Sequence, residues 1–247
     1  SLDWSQKIDT SRVMSIKPMS QLNARYYSYK YTNDSDYYND NYLKKYGQTY
    51  GDYLYDSQFD YIKDTAITTI IFAPTVLTLH TGQDKYHSAI YKLSNNNTTE
   101  DPMDSVIRIL MAKKITGVSN WKLQNDSGGT ISTLTKYGYA GHLDDPINPT
   151  IDINFGVPKE LQFTPTTYPT NNLFNTYHLP YILEITDMES KLYSCSVYLT
   201  TMDIYNLDFS KYIWINGGLF RLNKITNYNP LDYSTSQVNL LKVINTQ

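Results

Sequence analysis

"YYSYKYTNDSDYYNDNYLKKYGQTYGDYLYD" (residues 26–56) places eleven tyrosines in thirty-one positions. Its periodicity changes partway along. In "LNARYYSYKY" (22–31), Leu22, Ala24, Tyr26, Ser28 and Lys30 alternate with Tyr27, Tyr29 and Tyr31, the two-residue repeat of a strand. "TNDSD" (32–36) interrupts the pattern. Beyond it Tyr38, Tyr42 and Tyr46 recur every four residues, which sets them on one helix face. Asp34 or Ser35 can cap the start of that helix, and Gly47 suits its C-terminal left-handed position. A strand, a turn and a helix account for the stretch better than a low-complexity run does. "YGQTYGDYLYDSQFDYI" (46–62) continues as a loop into an extended segment.

Outward from this stretch the chain reads as mainly β. "AITTIIFA" (66–73), "TVLTLHT" (75–81), "SAIYKLS" (88–94), "SVIRILMAKKI" (105–115), "SNWKLQND" (119–126) and "GTISTLTKYGY" (129–139) are strand-like, rich in Thr, Ile and Val. "SNNNTTED" and "NDSGG" supply turns. Five of the ten prolines, Pro146, Pro149, Pro158, Pro165 and Pro169, then fall within 24 residues. Proline cannot donate to a sheet ladder, so an extended connection is expected here, with "TIDINFG" (150–156) as a short strand. An arm of this kind orders best by lying along a neighbouring subunit. Five further strands are expected at "PYILEIT", "LYSCSVYLT", "KYIWING", "LFRLNKITNY" and "QVNLLKVI". Asn216-Gly217 between two of them is a tight-hairpin signal.

The expected architecture is antiparallel barrel or sandwich domains, one short Tyr-rich helix near the N-terminus and a Pro-rich extended connection. Four segments follow from this: residues 1–64, a Tyr-rich strand–helix segment; 65–143, a β-rich middle; 144–173, the Pro-rich connection; and 174–247, a C-terminal antiparallel barrel or sandwich. The 247 residues suffice for a substantial core. The chain opens at Ser1 in what reads as mid-domain sequence, so a piece of a longer protein is expected.

Chemistry is sparse. The net charge of -3 and the absence of long basic runs argue against nucleic acid as a main partner. "AITTIIFAPTVLTL" is too short and too broken by Pro74 to span a membrane. The single cysteine, Cys195, has no partner for a disulfide and reads as a packed core thiol. His80, His87, His142 and His178 form no helix-spaced metal pair, and no second cysteine completes a thiolate zinc site. In "DSDYYNDN", Tyr38 stands where a calcium loop needs an oxygen, so helix capping explains those acids better. Asp144 and Asp145, adjacent on an extended chain, point apart and cannot easily pair as acid and base. No phosphate loop or nucleophile elbow is present, and no Ser-His-Asp order stands out as a catalytic set. No catalytic, cofactor-binding or metal residue is expected.

What remains is the tyrosines. Tyrosine gives large contact area at low entropy cost and keeps a polar tip, which suits a surface wet before assembly and buried after it. Tyr38, Tyr42, Tyr46, Tyr27 and Tyr29, with Phe155 and Phe163 of the arm, are therefore the candidate interface residues.

Two stretches carry a family resemblance. "IDTSRVMSIKPMSQLNARYYSYKYTNDSDYYNDNYLKKYGQTYGDYLYD" (8–56) resembles a region of structural proteins of tailed bacteriophages infecting gut Bacteroidales. "YIWINGGLFRLNKITNYNPLDYSTSQVNLLKVI" (212–244) is similar to the closing hairpins of tail or baseplate components. Together they cover about a third of the chain. The resemblance implies a non-enzymatic virion protein, assembled in the bacterial cytoplasm, whose partners are copies of itself and other tail or virion proteins. It supplies no catalytic residue. A carbohydrate- or receptor-binding module that meets a host-surface glycan is the alternative, and a polysaccharide-cleaving enzyme the third reading.

Overall fold

A computed structural model describes residues 1–18, 22–80, 85–93, 99–102, 104–161 and 167–244. The protein is mainly β and divides into two compact units. Residues 1–23 and 180–247 form the first, and residues 24–179 the second. The second unit is thus an insertion between the two parts of the first. This differs from the four consecutive segments expected. The reason is strand pairing between the chain's ends, which hydropathy along the sequence does not report.

The first unit begins with β1 (Leu2–Asp3) and β2 (Ser15–Pro18). The second carries β3 (Tyr26–Lys30), α1 (Tyr37–Tyr46), β4 (Tyr53–Asp56) and β5 (Thr65–Thr69). There follow β6 (Leu77–His80), β7 (Lys85–Ser88), β8 (Lys92–Leu93) and β9 (Glu100–Asp101). A long hairpin, β10 (Met111–Gln124) and β11 (Thr130–Gly141), comes next, and a π-helical turn (Phe174–His178) ends the unit. The chain returns to the first unit through α2 (Leu179–Thr186), β12 (Lys191–Val197), α3 (Thr201–Tyr205), β13 (Ile213–Ile215), β14 (Gly218–Thr226) and β15 (Ser236–Lys242).

The first unit is one six-stranded sheet in the order β1-β13-β14-β15-β12-β2. β1 runs parallel to β13 and the other pairs are antiparallel. The expected barrel does not form: β1 and β2, both from the first eighteen residues, end the sheet at either side. Alternation along the strands sends Cys195, Val197, Ile213, Ile215, Phe220, Val238 and Leu240 into one core with Trp4. Burial raises the pKa of the Cys195 thiol, which fits a packed residue rather than a reactive one. Asn216 (φ 45°) and Gly217 (φ 91°) form the two-residue turn between β13 and β14, the left-handed pair a type I′ hairpin requires. "PYILEIT", expected as a strand, is helical. Ile182 and Ile185 are buried one turn apart, and Glu184 meets Arg221 of β14 at 3.0 Å. A short apolar run cannot by itself distinguish a strand from a buried helix.

The second unit explains most of the tyrosines. β3 is the middle strand of β4-β3-β5, antiparallel to β4 and parallel to β5. Its buried Tyr29 packs on Phe155, Phe174 and His178, with ring centroids 5.7, 5.3 and 4.3 Å apart. Tyr31 packs on Phe155, and Tyr53 on Phe174. The core is therefore aromatic where most cores are aliphatic. α1 is capped by Asp36, whose carboxylate accepts from the Tyr38 and Asn39 N–H groups, one position beyond the Ser35 expected. Gly47 (φ 67°) ends the helix, its N–H bonded to the Leu43 carbonyl.

The Pro-rich segment is knitted into this unit and does not lie along the surface as an arm. Ile153 N–H donates to the His142 carbonyl, Phe155 N–H to Gly51, Asp152 N–H to Asn171, and Leu173 N–H to Asn154. Prolines bar it from a ladder, and these scattered bonds replace one. "TIDINFG" forms a single bridge, Leu143 with Asp152, rather than a strand. At Gly51 (φ 78°) a Cβ would come within 2.4 Å of the Asn154 side chain, so only glycine lets this crossing close.

Candidate functional site: an unsupported β ribbon

The most reactive-looking cluster lies in the second unit. His142 Nε2 is 3.1 Å from the Tyr50 hydroxyl, and His142 Nδ1 is 2.8 Å from Asp152 Oδ1. Tyr168 donates to Asp152 Oδ2 at 2.5 Å, and Asn154 contacts Nδ1 at 3.2 Å. A hydroxyl, an imidazole and a carboxylate in series resemble a relay for nucleophilic catalysis. Two features speak against that use. Tyr50, His142 and Asp152 are each 1% exposed, which closes the cluster off from bulk solvent. Burial also pushes the Tyr50 phenol well above its ordinary pKa, away from the phenolate. The cluster instead satisfies buried polar groups and pins the segment 150–156 to the loop carrying Tyr50.

The other residues considered from sequence have structural partners. Asp36 and Asp34 pair with buried Arg108, and Asn39 donates to Asp36 at 2.6 Å. Asp144 accepts from Thr150 and Ile151, and Asp145 from Ile147, Asn148 and Lys113. Partial burial opposes ionisation of both, yet these hydrogen bonds outweigh it and hold both carboxyls below their ordinary pKa. His87 contacts the Thr78 hydroxyl at 3.1 Å. The His80 side chain lies outside the described residues. Among the described residues no group of three or more His, Cys, Asp or Glu could hold a metal. Among them, too, no helix is long and apolar enough to cross a membrane.

The candidate interface residues are for the most part used up inside the unit. Tyr27, Tyr29, Tyr42 and Phe155 are buried. Tyr38 and Tyr46 are half-buried against Tyr42, Tyr50 and Val76, and Tyr46 donates to Glu160 at 3.0 Å. Tyr38, Tyr42 and Tyr46 do share one face of α1, but that face packs on the chain's own Tyr50. As contact points for a partner these residues are corrected to core and near-core positions. Phe163 lies outside the described residues.

The exposed feature is the hairpin. Among the described residues β10 and β11 pair only with each other, so neither outer edge of the ribbon meets a described strand. Its base is anchored: Ile115, Tyr137 and Tyr139 join Leu77 and Leu143 in a buried cluster. The Tyr137 hydroxyl accepts from Tyr86 N–H, and Ser88 donates to the Ala140 carbonyl. Farther out, Gly117 (φ 71°) marks an irregularity where residues 117–120 stand opposite residue 135 alone. Beyond it Trp121 still leans on Tyr137, with centroids 5.4 Å apart. From Lys122 to Lys136, every residue is exposed except half-exposed Ser132. Leu123, Ile131 and Leu134 are among them.

A two-stranded ribbon wet on both faces is marginal in water, because it has no apolar face to bury. Its unpaired N–H and C=O groups are a template for further strands. The ribbon from Met111 to Gly141 also holds four lysines against one aspartate, a net +3 on a chain of net -3; the remainder therefore carries -6. Of those lysines, Lys113 is paired with Asp145.

Sequence reading found the strands and the "NDSGG" turn but not the ribbon's isolation. A signal was present: "TISTLT" and "NWKLQ" hold few apolar residues, too few for strands with a buried face. No protein-family model matches the chain, and comparisons with curated proteins and with solved structures give no match.

Proposed function

We propose that the chain is a non-enzymatic structural component of a tailed-phage virion, a tail or baseplate subunit that joins copies of itself, and through them other virion proteins, by way of the β10–β11 ribbon. The phage setting rests on the sequence resemblance, as does the virion as its location. The contact rests on one observation: fifteen consecutive residues, Lys122 to Lys136, held out as a hairpin end whose edges meet no other strand among the described residues. Strand addition to such an edge supplies main-chain hydrogen bonds, and Leu123, Ile131 and Leu134 supply apolar contact. The opposite charges of ribbon and remainder favour a ribbon that meets the body of another copy.

Sedimentation of the full chain against a shortened ribbon tests this. Thr116 is paired with Lys136, so residues 117–135 can be replaced by Asn-Gly while Ile115, Tyr137 and Tyr139 stay in place. The full chain is expected to form a closed oligomer at tens of micromolar, and the shortened chain to stay folded and monomeric, with a modestly lower melting temperature because Val118 and Trp121 leave the edge of the basal cluster. Equal masses for the two would contradict the proposal, as would a full chain that stays monomeric throughout. The second reading, glycan binding, is favoured by a separate groove in the first unit.

A further inference from the structure

The first unit carries an open groove of about 620 Å³ between α3 and the β14–β15 loop. The size falls within the roughly 300–1,000 Å³ of ligand clefts. Tyr205 and Tyr233 stand in it almost fully exposed, at 83% and 93%. Tyr228 lies between them in sequence, held by a 3.3 Å hydrogen bond from its hydroxyl to Thr201 Oγ1. Leu199, Met202, Pro230 and Leu231 complete the apolar lining.

The polar groups are few and particular. Asp232 lines the groove, and its carboxylate meets no partner among the described residues. The Asn229 side-chain oxygen Oδ1 accepts from Leu231 N–H at 3.0 Å, which leaves the side-chain Nδ2 to donate. No lysine, arginine or histidine lines the groove. α3 is fixed beneath it by a capping box in which Thr200 and Asp203 bond reciprocally, with Lys7 on Asp203 at 2.8 Å.

From this chemistry we infer that the groove binds a neutral oligosaccharide. A pyranose has an apolar C–H face and a rim of hydroxyls. Exposed phenol rings beside one carboxylate and one amide donor meet both parts, since aromatic side chains combine an apolar body with a polar tip. An extended peptide fits less well. It binds by adding to a strand edge, and both strands flanking this loop are already paired, β14 with β13 and β15, and β15 with β12. An acidic sugar is disfavoured, because the groove offers a carboxylate and no cation. This inference stands apart from the assembly reading: the ribbon belongs to the second unit and the groove to the first.

Saturation-transfer NMR on the full chain tests it. The probes are neutral gluco-, manno- and galacto-oligosaccharides of four to seven units, with oligouronates of equal length for comparison. At least one neutral series should receive saturation from tyrosine ring protons, and the oligouronates should not. Tyr205→Ala and Tyr233→Ala should each weaken that binding at least tenfold, while Tyr233→Phe retains most of it. Both rings are exposed, so neither change should move the melting temperature. Tyr61→Ala, an exposed ring of the second unit, should leave binding intact. No transfer to any neutral series would overturn the inference. So would equal binding of the uronates, or binding indifferent to both tyrosine-to-alanine changes. Binding of an extended peptide in place of every sugar would assign the groove to a protein partner and overturn it too.

Discussion

Asp52 shows how one residue ties local geometry to a measurable property. It accepts from Tyr31 N–H at 2.9 Å and Thr49 N–H at 3.1 Å, which joins the end of β3 to the loop before β4. Burial raises its pKa from 3.8 to about 6, and those two hydrogen bonds only partly offset the rise. Between these values the folded protein keeps a proton that the unfolded chain has released. The stability linked to this group is thus complete below about pH 4 and declines as the pH rises through 6. The span is at most about 2 kcal/mol, allowing for the water that still reaches the carboxylate. Urea unfolding of wild type and Asp52→Asn from pH 4 to 7 checks this: the difference between them should shift in favour of the variant as the pH rises. Parallel curves would mean that Asp52 ionises normally. At this scale the sequence shows that Asp52 is present but not its burial, which depends on the 150–156 segment some hundred residues away.

The helix α1 draws on partners distant in sequence. Asp36 caps it, and the same carboxylate meets Arg108 Nη2 at 2.7 Å, with Arg108 and Asp36 at most 5% exposed. Arg108 also donates to the Pro74 carbonyl, so the cap, the loop before β6 and the strand-like segment before β10 meet at one guanidinium. Asp36→Ala should cost about 2–4 kcal/mol in urea unfolding. It removes a cap worth roughly 1 kcal/mol and leaves a buried cation with one carboxylate in place of two. Asp36→Asn should cost less, because the amide oxygen still caps. A loss under about 0.5 kcal/mol for the alanine variant would show that the cation is not confined. The helix was legible from the four-residue recurrence of Tyr38, Tyr42 and Tyr46 and from Gly47. Its capping residue was off by one or two positions, because Asp34, Ser35 and Asp36 all suit that role and only Arg108 decides between them. α2 was misread for want of such punctuation: "LPYILEIT" has neither a capping residue nor a clear period.

For the whole molecule, the strands of β12 to β15 were legible because their alternation and the Asn216-Gly217 turn are local. The pairing of β1 with β13 and of β2 with β12 was not, because each joins residues more than 170 apart. The Pro-rich segment misled for the opposite reason. Its composition describes a surface connection, while its hydrogen bonds to Gly51 and His142 make it core. The tyrosines thus serve two ends. In β3, β4 and α1 they build an aromatic interior, and in the first unit Tyr205 and Tyr233 stand in open solvent. The contact surface proposed for assembly is the ribbon. Backbone amide exchange over residues 122–136 tests that role most directly, comparing dilute monomer with concentrated, assembled protein. Strand addition predicts fast exchange in the monomer and slowing by at least a hundredfold at alternate amides of one edge on assembly, with β14 and β15 unchanged. Exchange that stays equally fast in the assembled protein would contradict it and place the contact elsewhere on the molecule.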